Sequence, residues 1–215
     1  MKKRLLTFLI LAAACLAQEP QELDLKAVEK KAAAGDAEAQ IIIGLAYDQG
    51  RGVTQDRRKA VEWFEKAAAQ GVAEAQFNLG SMYELGSGVA KDEAKAIEWF
   101  EKAADKGLVD AQFNLARMYA DGRGAEQDFA KAVGWYDKAA VRGLTRAQFN
   151  LGIMYALGQG VPKDSVKAYA WFFIAAANGD PSAQQNCTFI ESKVNAGQKA
   201  KLRKAAQDLA AKIKK

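Results

Sequence analysis

The stretch Ala75-Gln-Phe-Asn-Leu-Gly-Ser-Met-Tyr83 decides the fold. It is written again as Ala111-Gln-Phe-Asn-Leu-Ala-Arg-Met-Tyr119 and as Ala147-Gln-Phe-Asn-Leu-Gly-Ile-Met-Tyr155, each copy 36 residues after the last. A more divergent copy, Ala39-Gln-Ile-Ile-Ile-Gly-Leu-Ala-Tyr47, keeps the same step, and Gln184 continues it. Other residues recur in register: Trp63, Trp99, Trp135 and Trp171, and the glycines Gly71, Gly107, Gly143 and Gly179. A period of this length marks a solenoid, in which no unit buries its own apolar face and each must stack on its neighbours. The long surfaces that stacking creates serve binding.

Within the stretch, Ala75, Leu79 and Met82 with Tyr83 stand at i, i+4 and i+7/i+8, the spacing of one helical face. This is helix A of the unit. Gly86-Ser-Gly-Val follows it, with counterparts beginning at Gly50, Gly122 and Gly158. Paired glycines there suit a left-handed helix cap and a loop of positive φ. Asp56, Asp92, Asp128 and Asp164 then stand before a second periodic run, where an oxygen acceptor meets the free N–H groups of a helix start. Helix B results, with Ala60, Trp63, Phe64 and Ala67 as its apolar stripe. Gly44, Gly80 and Gly152 lie inside helix A, where glycine costs about 1 kcal/mol relative to alanine. A cost repeated three times predicts a close contact, with Ala116 marking the largest residue that fits; Trp63 and its counterparts supply bulk between units.

The run Ala-Gln-Phe-Asn-Leu-Gly-x-x-Tyr, then Gly-x-Gly-Val, then Asp-x-x-Lys-Ala-x-x-Trp-Phe-x-Lys-Ala-Ala, closed by glycine, resembles the SEL-one-like repeat family, an α-solenoid related to tetratricopeptide repeats. The resemblance implies an all-α fold, a right-handed superhelical solenoid of antiparallel helix pairs, and an adaptor or scaffold that binds a protein or peptide partner. It divides the chain into a leading half repeat (18–35), four repeats (36–71, 72–107, 108–143 and 144–179) and a degenerate repeat with a C-terminal capping helix (180–215). The cysteine-rich branch of that family, credited with penicillin binding and weak β-lactamase activity, carries a disulfide in each repeat. This chain has only Cys15 and Cys187, so the disulfide framework is missing and a weak β-lactam-binding hydrolase is the lesser alternative.

Met1-Lys-Lys-Arg precedes an apolar stretch from Leu5 to Ala17 that is too short to span a bilayer and fits a secretory signal peptide over residues 1–17. Two processing routes stay open: cleavage after Ala17, and lipidation of Cys15 within Ala12-Ala-Ala-Cys15, whose Ala12 departs from the expected leucine. The expected location is the periplasm, or the outer membrane if Cys15 is lipidated. The whole chain carries a formal charge of +5, but Lys2, Lys3 and Arg4 belong to the leader. Residues 198–215 hold seven basic side chains and only Asp208, a basic end that suits a solvated cap or an anionic lipid or glycan. An exported chain with a slightly acidic body is a poor nucleic-acid binder.

There is no histidine, which removes imidazole triads and histidine-ligated zinc. None of Ser81, Ser87, Ser165, Ser182 or Ser192 has lysine three positions on, so the penicilloyl-serine arrangement is absent. The sequence therefore gives no catalytic residue, no cofactor and no metal site, and the chain reads as a binder. Helix A supplies the candidate surface. Positions i, i+4, i+7 and i+11 share a side, which groups Glu38, Ile42, Leu45 and Gln49, then Glu74, Asn78, Ser81 and Leu85, then Asp110, Asn114, Arg117 and Asp121, then Arg146, Asn150, Ile153 and Leu157. The expected groove residues are Asn78, Asn114 and Asn150, flanked by Phe77, Phe113 and Phe149, with Arg117 between. Asparagine both gives and accepts hydrogen bonds, which suits an extended backbone or a glycan. The same asparagines and phenylalanines also match the family's repeat pattern, so bridging of adjacent units is the competing reading. A peptidoglycan- or polysaccharide-binding envelope component is the other alternative.

Overall fold

The computed structural model describes residues 24–213, so the expected signal peptide over residues 1–17, with Cys15, lies outside the described residues. Among the described residues every element is a helix. α1 (Leu25–Ala33) leads. Four pairs follow: α2 (Ala37–Gln49) with α3 (Arg57–Ala69), α4 (Ala73–Leu85) with α5 (Glu93–Asp105), α6 (Val109–Asp121) with α7 (Phe129–Val141), and α8 (Thr145–Leu157) with α9 (Ser165–Ala177). α10 (Pro181–Ser192) and α11 (Ala196–Ile213) close the stack. Each A helix packs most closely on its own B helix and then on the B helix before it.

The expected caps are present. Asp56, Asp92, Asp128 and Asp164 each accept a hydrogen bond from the first turn of their B helix, and Gly50, Gly86, Gly122 and Gly158 end the A helices at φ between 68° and 75°. The second loop glycine does more than turn the chain. Gly88, Gly124 and Gly160 lie against the backbone at Arg57, Glu93 and Phe129, the first residue of the preceding B helix in each case. The loop of one repeat thus rests on the repeat before it, and a side chain there would push the two apart.

Gly44, Gly80 and Gly152 also behave as their cost predicts. A Cβ on Gly80 would sit 2.7 Å from the Phe100 ring, and Gly44 and Gly152 meet Phe64 and Phe172 in the same way. The third repeat has Ala116 and Tyr136 at these two positions, both buried in one cluster. The close contact is therefore with the helix-B phenylalanine of the same repeat, and these rings are its fully buried centre: Phe64 and Phe100 are at most 1% exposed. The tryptophans play a smaller part than their size suggests. Trp63 packs on the cluster of α1 and α2, and Trp99 on that of α3 and α4. Both are nevertheless half-buried, with Lys66 and Lys102 lying over their outer faces at 3.8 and 3.9 Å. Trp171 alone is buried.

The repeated glutamine has a role that spacing alone does not reveal. Gln40, Gln112 and Gln148 are buried, and each Nε2 donates to a carbonyl near the end of the preceding B helix, Ala32, Ala104 and Ala140, at 3.0 to 3.1 Å. Gln76 makes the same bond to Ala68 at 3.4 Å. Each of these carbonyls also accepts from the N–H of the glycine that follows its helix, Gly35, Gly71, Gly107 or Gly143, so the glutamine takes its second lone pair and pins the next A helix to that helix end. Gln184 is exposed and makes no such bond, which marks where the array stops repeating. There α11 folds onto α9, adding Leu202 and Ala206 to the cluster of Tyr169, Phe172 and Cys187. Glu191 ties α10 to both, accepting from Tyr169 Oη at 2.6 Å and Arg203 Nε at 2.9 Å.

Candidate binding groove

The A-helix face is built by the chain's own periodicity. Successive A helices bring equivalent positions side by side, so one substitution pattern per repeat becomes a row across the molecule. Asn78, Asn114 and Asn150 are all half-buried in that row. Among the described residues they are not joined to one another by hydrogen bonds. Asn150 instead lies against the Tyr136 hydroxyl of the preceding B helix, whose phenol burial pushes up. The phenylalanines serve the repeat's interior: Phe77, Phe113 and Phe149 pack on Phe100, Tyr136 and Phe172 with ring centroids 5.6 to 5.7 Å apart. Phe113 is buried, while Phe77 and Phe149 keep an exposed edge.

Two clefts open at homologous junctions of this face. Between repeats 1 and 2, Leu45, Phe64, Asn78, Ser81, Met82 and Leu85 bound a cleft of about 110 Å³. Two periods on, the equivalent positions between repeats 3 and 4 are Arg117, Tyr136, Asn150, Ile153 and Met154, and with Asp121 and Gln159 they bound about 480 Å³. A third cleft of about 500 Å³ lies at the N-terminal end, between Leu25, Ile42, Leu45, Gln49 and Arg51. Each junction has its own chemistry because the varying positions of the repeat point into it.

The middle junction is crossed by ion pairs. Glu84, buried at 7% exposure, accepts from Arg117 Nη2 at 2.6 Å and Arg123 Nη1 at 2.9 Å, and Arg123 Nη2 donates to Glu93 at 2.8 Å. Lys91 and Arg123 hold the Glu93 carboxyl below its usual range. The equivalents of Glu84 are Asp48, Ala120 and Ala156, so this network is particular to one junction. Arg117, expected as a groove residue, is thus committed on one side to repeat 2.

Five large hydrophobic side chains are well exposed among the described residues: Leu85, Val141, Leu157, Val166 and Phe189. Three of them lie on the A-helix face. Leu85 and Leu157 are 75% and 63% exposed at the ends of α4 and α8, and Phe189, 63% exposed, continues the row of Arg117 and Ile153 in α10. Sequence reasoning grouped Leu85 and Leu157 with this face but did not reach Phe64, Tyr136, Glu84 or Phe189. The signal for the apolar end was present in Ile41-Ile42, which stand where later copies have Phe-Asn.

The described thiol, Cys187, is buried, and burial followed by the nearby Glu191 pushes its pKa to about 11, away from a reactive thiolate. No group of three metal-ligating side chains occurs among the described residues, and none of their helices is long and apolar enough to cross a membrane.

Stacked helical hairpins with a varied inner face define an α-solenoid of the binding-scaffold class. The Sel1 repeat model matches residues 37–72, 73–108, 109–143 and 145–180, and the chain belongs to the Sel1 repeat family. Proteins of this family generally mediate protein–protein interaction as scaffolds. Among solved structures, the chain resembles a protective antigen present in uropathogenic Escherichia coli strains that displays an SLR fold, at 34% identity and a TM-score of 0.78. That match covers 86% of this chain but only 41% of the antigen, so the chain spans less than half of its length. A Sel1 repeat protein from Oxalobacter formigenes is similar at 32% identity and a TM-score of 0.77, over 94% of this chain and 84% of that one. Both agree with the right-handed all-α solenoid expected from the period. No curated protein sequence matches the chain.

Proposed function

We propose that this protein is an exported adaptor that holds a protein or peptide partner of the cell envelope along the groove formed by its A helices. One observation carries the reading: most of the well-exposed large hydrophobic side chains among the described residues, Leu85, Leu157 and Phe189, lie on that face, and Leu85 lines one of its clefts. Exposed apolar side chains that share one face offer a partner hydrocarbon to cover. Family membership supports the class of function, and the basic and apolar start, Met1-Lys-Lys-Arg followed by Leu5 to Ala17, supports export. The mature protein is then soluble in the periplasm, or tethered to the outer membrane if Cys15 is lipidated.

The test places a photo-crosslinking amino acid at Leu157 in the full chain and, as control, at the exposed Glu98 on helix B. Discrete protein adducts from Leu157 and not from Glu98 are expected in the envelope fraction. Adducts from Glu98 alone, or tight binding of purified peptidoglycan that Leu157→Ser leaves unchanged, would refute the groove. Mass spectrometry of the mature N-terminus reads the processing route, and an intact Met1 in the cytosolic fraction refutes export.

A further inference from the structure

The groove is not uniform along its length. Its N-terminal half is a trough with an apolar floor, in which Leu45 lines both adjoining clefts and joins Leu25 and Ile42 to Phe64, Met82 and Leu85, while Asp48 and Ser87 stand at the edge of the second cleft. Beyond the middle junction the walls turn polar, with Arg117, Asp121, Tyr136 and Asn150. Between the halves stand the ion pairs of Glu84 with Arg117 and Arg123.

The trough is also flanked by charges of opposite sign. Glu38 and Glu74 stand in the first turns of α2 and α4, exposed and without an ion-pair partner among the described residues. At the other end of α2, Arg51 is exposed, lines the cleft and has no ion-pair partner among the described residues; the one acid on this rim, Asp48, faces Arg57 at 3.7 Å, which leaves the rim net basic. Because the acids begin the A helices and the arginines follow α2, the two rims lie on opposite sides of the trough. In repeats 3 and 4 this polarity is lost, since Asp110 pairs with Arg146 at 3.2 Å and Arg123 is taken by Glu84 and Glu93.

We infer that the N-terminal trough is the anchoring subsite of the groove, and that it takes a peptide segment of a protein partner with aliphatic side chains in the trough, acidic residues toward Arg51 and basic residues toward Glu38 and Glu74. This rests on the groove reading given above and deepens it. Apolar contact supplies the affinity, because Leu25, Ile42, Leu45 and Leu85 present hydrocarbon that a partner would remove from water. The opposed rims supply direction, since a segment laid in the reverse sense would set like charges together.

The experiment selects peptides from a random twelve-residue displayed library against the full chain, then measures the selected peptides by fluorescence anisotropy. Selection of segments with several Leu, Ile, Met or Phe, flanked by Asp or Glu on one side and by Lys or Arg on the other, is expected. Leu85→Ser should weaken them about tenfold and Arg51→Glu about threefold. Leu157→Ser, in the polar half, should weaken them by less than Leu85→Ser does, and Val141→Ser, off the groove, should leave them unchanged. Circular dichroism of each variant confirms that it is folded. A loss at Leu157→Ser as large as at Leu85→Ser overturns the anchoring inference and leaves the groove standing. Loss at Val141→Ser, with Leu85→Ser and Leu157→Ser both silent, overturns the groove as well. Failure to select any peptide, or selection of basic segments that bind better to Arg51→Glu, overturns the inference.

Discussion

Replacing Gly80 by alanine sets two effects of opposite sign against each other. Alanine is favoured over glycine in a helix interior by about 1 kcal/mol. Against this, the new Cβ would stand 2.7 Å from two carbons of the Phe100 ring and 3.1 Å from a third. The ring cannot swing aside, for it is wholly buried and held by Phe77 at 5.7 Å between centroids. Overpacking of a filled core costs about 1 to 3 kcal/mol, so the net expectation is a loss of about 1 kcal/mol. Gly134→Ala provides the opposite case in the same fold, because nothing lies within 4 Å of its Cβ position. That substitution should stabilise by about 0.5 to 1 kcal/mol. Urea unfolding followed by far-ultraviolet circular dichroism reads both as midpoint shifts. Phe100→Leu in the Gly80→Ala background should couple favourably, with the double variant more stable than the summed single losses by at least about 0.5 kcal/mol. If Gly80→Ala raises the midpoint as Gly134→Ala does, the glycine is not there to admit the ring and the reasoning fails.

Three further outcomes are expected. Phe100→Ala should cost about 3 to 5 kcal/mol and Trp99→Ala distinctly less, since the tryptophan is half-buried under Lys102; equal losses in denaturant midpoints would reverse the assignment of the core. Glu84→Gln should destabilise by about 2 kcal/mol, as charge-assisted bonds from Arg117 and Arg123 are weakened, and a thermal melt indistinguishable from the parent would show that the network does not brace the middle junction. The Glu191 carboxyl is held down to about 2 from its ordinary 4.5, chiefly by Arg203 and then by Lys199 and Tyr169. A depressed carboxylate pKa gives stability that is present above pH 4.5 and lost as pH falls toward 2, so Glu191→Gln should flatten that acid limb in melts taken between those values; an unchanged limb counts against the tie.

The period, the helix pairs, the aspartate caps and the glycine-ended A helices are legible in the sequence because each is a local demand. An N-cap needs its acceptor within a few residues, a left-handed turn needs glycine where it falls, and repetition makes each signal visible four times. Even the cost of Gly44, Gly80 and Gly152 announces a close neighbour. The neighbour itself is a matter of packing. Spacing cannot tell that Phe100 rather than Trp99 fills the centre, since both lie on the same apolar stripe and only packing sets Phe100 against Gly80 and Phe77 while Trp99 keeps a face under Lys102.

Tertiary structure alone assigned the repeated Gln40, Gln76, Gln112 and Gln148 to carbonyls of the preceding helix, because that partner lies across a turn. It likewise divided the candidate groove. The sequence selected the asparagine row and the face that bears it, yet Arg123, Phe64 and Tyr136 reach that face from loops and B helices of the stack. Repetition determined which positions stand side by side. Which of them meet, and whether a junction is apolar, bridged by charge or open and polar, was decided by the few side chains in which neighbouring copies differ, and those act only once the copies are stacked.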